Sequence, residues 1–249
     1  MKMLVCISHV PDTETDIRIT ADGSSIDLNG ITWIINPWDE LALTRAAQLR
    51  KEHPAFIESL TVITVGRDDT VPSLRKALAL GADNAVRIDA DPVDSWFVAS
   101  QIAEVVKRDK YDVVLTGTES SDFNGFAVGG MLAGITGYAC LPNITSMNIE
   151  DNKIMVHRET GDGKERLEAE VPFIAVIQKG ITSAPGIPTM RDIMQARNKP
   201  VEVLPALAAG HFTENTAYSL PGTEKQCTMI TENEYGLLAE KLYAGAGIS

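Results

Sequence analysis

The sequence predicts an α/β fold: a mostly parallel, twisted sheet with helices on both faces, followed by an extended C-terminal region. Three observations point to it. Short apolar runs of strand length (MLVCISHV, SLTVITVG, NAVRI, DVVL) alternate with segments of helical periodicity over the first 134 residues. The connections between them are short, which favours parallel strands joined by helical crossovers. The 249 residues, 44% of them apolar, suffice to bury one large core.

Residues 3–10 read as a buried strand with no polar face. In IRITADGSSIDL, Asp22-Gly23 divides two short alternating runs and predicts a hairpin. Asn36 at the N-cap, Pro37 at the first helical position and acidic Asp39 and Glu40 open a helix. Its apolar face carries Trp38, Ala42, Ala46 and Leu49. A strand at 59–66 follows, then a helix from Thr70 to Leu80 with Gly81 at its C′ position. Residues 84–88 form a strand, Asp94 to Lys107 a helix, Asp112 to Leu115 a strand and Gly125 to Gly134 a helix. After residue 140 the pattern changes to three strands, turning near Glu150–Asn152 and Gly161–Gly163, and then the apolar strand 172–178. Pro185 and Pro188 break order before a short amphipathic helix that ends ahead of Pro200. From about residue 205 the chain is loop-rich, closing with a helix from Glu232 to Tyr243. This divides the chain into an α/β unit (1–180, with a strand-rich insertion at 143–170), a loop with a short helix (181–200) and a C-terminal arm (201–249).

Composition excludes several functions. A net charge of −12 argues against nucleic acid as the ligand, because phosphate backbones demand basic surface. Cys6, Cys140 and Cys227 are odd in number and widely spaced, which speaks against a disulfide framework and against zinc. The apolar N-terminus is too short for a signal peptide or a transmembrane segment, so the expected location is the bacterial cytoplasm or a mitochondrial matrix. His9 has no evident nucleophile partner, and His157 and His211 lack ligand spacing. The acidic loop Asp12, Glu14, Asp16 has no EF-hand pattern, so no metal site is expected. No triad or paired-carboxylate pattern supports a hydrolase.

Ligands of open parallel sheets sit beyond the carboxyl ends of the strands. Three loops leave such ends, at 8–15, 65–70 and 116–126. The last belongs to VVLTGTESSDFNGFAVGGMLAG, and no Lys or Arg occurs between Tyr111 and Asn152. A phosphate held there must be gripped by backbone N–H groups and the dipole of the following helix. The glycines serve equally to pack a helix against the sheet, and the residues alone leave both readings open. There is no GxGxxG after the first strand and no GxxxxGK[ST], which disfavours a standard dinucleotide fold and a P-loop NTPase.

Six segments in order, MLVCISHVPD, NPWDELAL, LRKALALGADNAVRI, GTESSDFNGFAVGGM, VHRETGDGKERLEAEVP and PTMRDIMQARNKP, resemble the β subunits of electron transfer flavoproteins. The resemblance covers essentially the whole chain. It implies an adenine-nucleotide-binding α/β fold, a structural AMP in this chain and a heterodimeric partner, the α subunit, that holds most of the FAD. It implies an electron carrier rather than an enzyme, receiving electrons from acyl-CoA or other flavin dehydrogenases and passing them to a membrane quinone reductase. By similarity, Cys6, Asn36, Pro37, Trp38, Asp39 and Val65 line the AMP. Gly117, Thr118, Glu119, Ser120, Ser121, Asp122, Phe123, Asn124, Gly125, Phe126, Ala127 and Val128 wrap its phosphate. Thr13 and Trp38 match flavin-facing positions, and Ser183 to Pro200 matches the loop that anchors dehydrogenases, with Met190 and Ile193 as docking residues.

Electron-bifurcating members, which carry a second FAD in this subunit and oxidise NADH, tend to show a DGDTAQVG-like run. Here Phe123 and Phe126 replace small or polar residues in that run, and two rings are expected to occupy the space, which favours AMP. A free-standing adenine-nucleotide-binding regulator is the other rival. It has no use for the strands of 143–179 or the loop 183–200.

Overall fold

In a computed structural model, residues 1–220, 222, 227 and 229–246 are described. Met1–Arg18 with Leu28–Thr216 makes one compact unit, and Ile19–Asp27 with the chain from Ala217 onward makes a second.

The first unit is built on a nine-stranded sheet. Its centre is β1 (Lys2–Cys6), with β6 (Ser59–Val65) parallel on one side and β8 (Val113–Gly117) parallel on the other. Beyond β6 lie β7 (Asn84–Asp89) and the edge strand β13 (Val201–Pro205), both parallel. Beyond β8 lies β12 (Phe173–Ile177), then β9 (Ala139–Glu150), whose antiparallel partners β10 (Lys153–Thr160) and β11 (Gly163–Ala169) complete the order.

Period-two alternation places successive β1 side chains on opposite faces. Met3 and Val5 join the core under α1 (Pro37–Glu52) and α2 (Val71–Ala79), whereas Leu4 and Cys6 join the core under α3 (Ser95–Asp109) and α4 (Val128–Thr136). A strand buried on both faces has no polar side, which explains its unbroken apolar run. The predicted fold class therefore holds, with helices on both faces of a largely parallel sheet. Among the described residues no helix is long and apolar enough to cross a membrane, and no His, Cys, Asp and Glu cluster could hold a metal.

Several boundaries differ from expectation. The predicted strand 3–10 splits into β1 and β2 (His9–Pro11), because Ser8 leaves the sheet to bond Asn36 and Asp39. β2 pairs antiparallel with β5 (Trp33–Ile35), a strand the sequence did not announce. α4 begins at Val128 rather than Gly125, because Asn124 and Phe126 have positive φ (47° and 51°) and cannot extend a right-handed helix. β9 begins at Ala139, four residues before the expected strand, and β13 was unforeseen. The Asp22-Gly23 hairpin forms as β3 (Arg18–Ile19) and β4 (Ile26–Asp27), with Gly23 at φ 72° and Asp22 accepting from the Ser24 amide. α5 (Met190–Asn198) opens on a capping box between Thr189 and Asp192. In the second unit, α6 spans Tyr235–Ala246.

Candidate functional site

The carboxyl ends of β1, β6 and β8 open onto a cavity of about 380 Å³, within the range of small-molecule sites. Its floor is apolar: Cys6, Val65, Val98 and Ile102. One wall is the loop between β8 and α4, contributing Gly117 to Ser120, Asp122, Phe123 and Gly125 to Val128. The opposite wall comes from Gly66, Arg67, Asp69, Thr70, Asp91, Pro92, Asp94 and Ser95.

Asp39 organises this end of the sheet. The carboxylate is buried, with Oδ2 accepting from the Ser8 amide (2.8 Å) and Oδ1 from the Gly117 amide (2.8 Å). Burial raises its pKa to about 6 against the opposing pull of those bonds. The backbone of Gly117 comes so near that an added Cβ would stand 2.3 Å from Asp39 Oδ1. Burial, and Asp39 beside it, push the Cys6 thiol far up, so it acts as an apolar floor group rather than a nucleophile.

Asn36 precedes α1 as expected but does not cap it. Its Nδ2 donates to the Glu119 carbonyl (2.8 Å) and its Oδ1 accepts from the Ser121 amide (3.2 Å). Asn36 therefore tethers the loop from behind instead of lining the cavity. Pro37 and Trp38 do not line it either: the first turn of α1 supports Gly117, with Trp38 Cβ 2.9 Å from the place a Gly117 Cβ would take. Ser121 and Asn124 point their amides at Asn36 Oδ1 and the Ser120 carbonyl, shaping the loop without lining the cavity. Thr13 is exposed in a turn outside the cavity.

Phe123 and Phe126, expected to occupy the cavity, border it but stand 53% and 62% exposed. The left-handed backbone at Asn124 and Phe126 gives the loop a path along the rim.

Electrostatics favour an anion held by main chain. The N-terminal ends of α2 (Asp69, Thr70), α3 (Asp94, Ser95) and α4 (Ala127, Val128) all border the cavity. Ala127 offers α4 no side-chain cap, so the positive end of that helix faces the site. Among the described lining residues the one permanent cation is Arg67, and its guanidinium is engaged by Asp91 (2.8 Å). Asp94 is spent on backbone amides of Phe97, Phe212 and Thr213.

Sequence reasoning set His9 aside and passed over Trp33. The two rings stack with centroids 4.8 Å apart. His9 Nδ1 meets Ser73 Oγ at 2.9 Å, while Nε2 is buried without a partner, as is Thr116 Oγ1. Burial lowers the His9 pKa against the opposing charge of Asp69, which favours the neutral ring. The only sequence signal for the pair was the run ITWII, read from residue 31, which is too short to distinguish a strand from a loop. On α5, Met190 is 74% exposed, but Ile193 is half-buried against the core, so the exposed apolar edge of the helix is Met190 and Met194, with Ile187 exposed in the segment before it.

The fold and cavity define an α/β protein with a small-molecule cleft at the carboxyl edge of a parallel sheet. Residues 25–209 match the family model of the electron transfer flavoprotein domain. The electron transfer flavoprotein subunit beta of Syntrophomonas wolfei is 33% identical over 244 residues, 97% of this chain and 94% of that one. Those of Bacillus subtilis (31%) and Methylophilus methylotrophus (32%) each align over 208 residues, covering 82% and 81% of this chain and 79% and 78% of theirs. The chain belongs to the beta-subunit branch of the electron transfer flavoprotein family.

Proposed function

We propose that this chain is the adenylate-holding subunit of a heterodimeric electron transfer flavoprotein. The observation that carries the reading is a cavity of about 380 Å³ with an apolar floor, ringed by three helix N-termini and bordered by a loop without basic residues. Cys6, Val65, Val98 and Ile102 would face the base, and those amides of the 117–128 loop not already given to Asp39, Ile177, Asn36 and Ser120 would hold the phosphate. AMP when bound supplies a fixed dianion and a flat ring, and the redox chemistry belongs to FAD on the alpha subunit. The chain's own residues orient the loop, through Asn36 and Asp39. A ligand that binds only the folded state stabilises it in proportion to its affinity.

In this reading the chain supports the FAD-bearing alpha subunit, docks acyl-CoA or other flavin dehydrogenases, and relays single electrons towards a quinone reductase. The exposed edge of α5 is the docking element, since an unbranched Met suits several partner pockets. Met190→Ala is expected to weaken dehydrogenase docking about tenfold, roughly 1.4 kcal/mol, with nucleotide content unchanged. Steady-state electron transfer in the reconstituted pair measures it, and an unaltered half-saturation concentration would remove Met190 from the interface.

One observation keeps a second reading alive. The rings of Phe123 and Phe126 leave the cavity open, so they do not separate AMP from the adenylate half of a second FAD, as in a bifurcating type that oxidises NADH. Acid extraction of the purified heterodimer and chromatography of the released nucleotides decide between them. One AMP per FAD is the expected result. Two FAD and no AMP would establish the bifurcating type, and a heterodimer devoid of adenylate would sink both.

A further inference from the structure

α3 grips a stretch of chain that has no regular structure of its own. Asp94 and Gln101 lie seven residues apart, on one face of the helix, and both are buried. Gln101 brackets Leu207: its Nε2 donates to the Leu207 carbonyl (2.9 Å) and its Oε1 accepts from the Leu207 amide (2.8 Å). Seven residues from it along α3, Asp94 Oδ2 accepts from the amides of Phe212 (2.7 Å) and Thr213 (3.0 Å). The Phe212 ring packs on Trp96, with centroids 5.0 Å apart. Segment 206–213, leaving the edge strand β13, is thus strapped along α3 at both ends.

The same Asp94 belongs to the ligand cavity. Its Oδ1 caps α3 by accepting from Phe97 N (2.7 Å), and Asp94 and Ser95 form part of the cavity wall. If the strap leaves, the buried carboxylate loses its Phe212 and Thr213 donors and keeps the cap alone. Water then takes the place of the strap at Oδ2, and the first turn of α3 loses the two bonds that fix it, and the cavity wall it forms, from that side. Conversely, a ligand seated against Ser95 would restrain the same turn that carries the strap's acceptor.

We infer that segment 206–213 is a latch whose closure is linked to nucleotide occupancy, with Asp94 and Gln101 as its positioning residues. The inference rests on the nucleotide reading given above. Linkage is reciprocal: by whatever factor the closed latch tightens nucleotide binding, bound nucleotide tightens the latch.

Gln101 does not line the cavity. A purely local role in holding Leu207 would leave nucleotide affinity untouched, so Gln101→Ala is the discriminating variant. In the purified heterodimer, Gln101→Ala is expected to accelerate AMP loss about fivefold or more, the lower end of ordinary coupling. Stripping AMP from the native heterodimer should speed hydrogen exchange at the amides of Leu207, Phe212 and Thr213 by a similar factor. Should Gln101→Ala assemble poorly, Gln101→Glu keeps the acceptor for the Leu207 amide and is expected to show a smaller change of the same sign. Exchange that ignores AMP, together with native AMP retention in either variant, overturns the latch and leaves the nucleotide reading standing. A native heterodimer containing no adenylate overturns both.

Discussion

On the proposed function, Gly117→Ala is expected to cost the protein more than half of its adenylate. The new Cβ would stand 2.3 Å from Asp39 Oδ1, 2.9 Å from Trp38 Cβ and 3.2 Å from the Asp39 amide. Asp39 cannot swing aside freely, since its carboxylate is held by the amides of Ser8 and Gly117. Trp38 Cβ and the Asp39 amide belong to the first turn of α1, which is rigid. The strain therefore falls on the loop, whose path from Gly117 onward sets the wall of the cavity. Overpacking of this kind costs about 1–3 kcal/mol. A Ser8 amide that loses its acceptor adds about 1–3 kcal/mol more. Melting should fall by about 4–24 °C, at roughly 2–4 °C per kcal/mol for a chain of this size. Co-purifying adenylate should fall to below half of the native content. Gly130→Ala is the control: it lies on the same glycine-rich stretch, inside α4, and an added Cβ there meets nothing within 4 Å. Removing a helix-interior glycine should stabilise by about 0.4–1 kcal/mol and leave adenylate in place. Equal behaviour of the two variants would show that the loop is not pinned at Gly117.

The features legible in the sequence are those set by local pattern. The two-faced burial of β1 was visible because every residue from Met3 to Cys6 is apolar. The loop after β8 was visible because small residues and an absence of cations are properties of composition. What escaped depends on which distant group a side chain reaches. Asn36 has the residue type of an N-cap, yet its amide is taken by Glu119 and Ser121, more than eighty positions away in the chain. Asp39 reads as a first-turn acid complementing a helix dipole, and it does lie there. Its larger task, joining Ser8 to Gly117, exists only once β1 and β8 are neighbours. The His9–Trp33 stack needs β5, a three-residue strand outside the main sheet, whose pairing with β2 brings diagonal residues into contact. Helix periodicity placed α5 correctly but not its phase against the core. Ile193 packs inward and Met194 outward, a choice made by packing against α2 and the core.

The amide bridge at Asp39 has a pH signature whose sign separates the two forces acting on it. In the folded chain its pKa is raised to about 6, from 3.8, because burial outweighs the amide bonds. For an acid, a raised folded pKa means the native state binds the proton more tightly than the unfolded chain does. Stability from this group therefore increases as pH falls through 6 towards 4, and is lost above 6. Between pH 8 and pH 5 the gain is on the order of 1.4 kcal/mol, obtained by applying the linkage relation to those two pKa values. Asp39→Asn does not titrate, so the difference in unfolding free energy between native protein and variant should move by that amount over the same interval. Denaturant unfolding at the two pH values measures it. Movement in the opposite direction would mean that the Ser8 and Gly117 amides more than offset the desolvation of the charge. Asp39→Ala is the harsher test, since it leaves both buried amides without an acceptor, at a cost of about 1–3 kcal/mol each. Because the Gly117 amide is where the loop begins, that variant should also lose the adenylate of the proposed function. A stable Asp39→Ala protein that retains nucleotide would place the support of the loop in Asn36 alone.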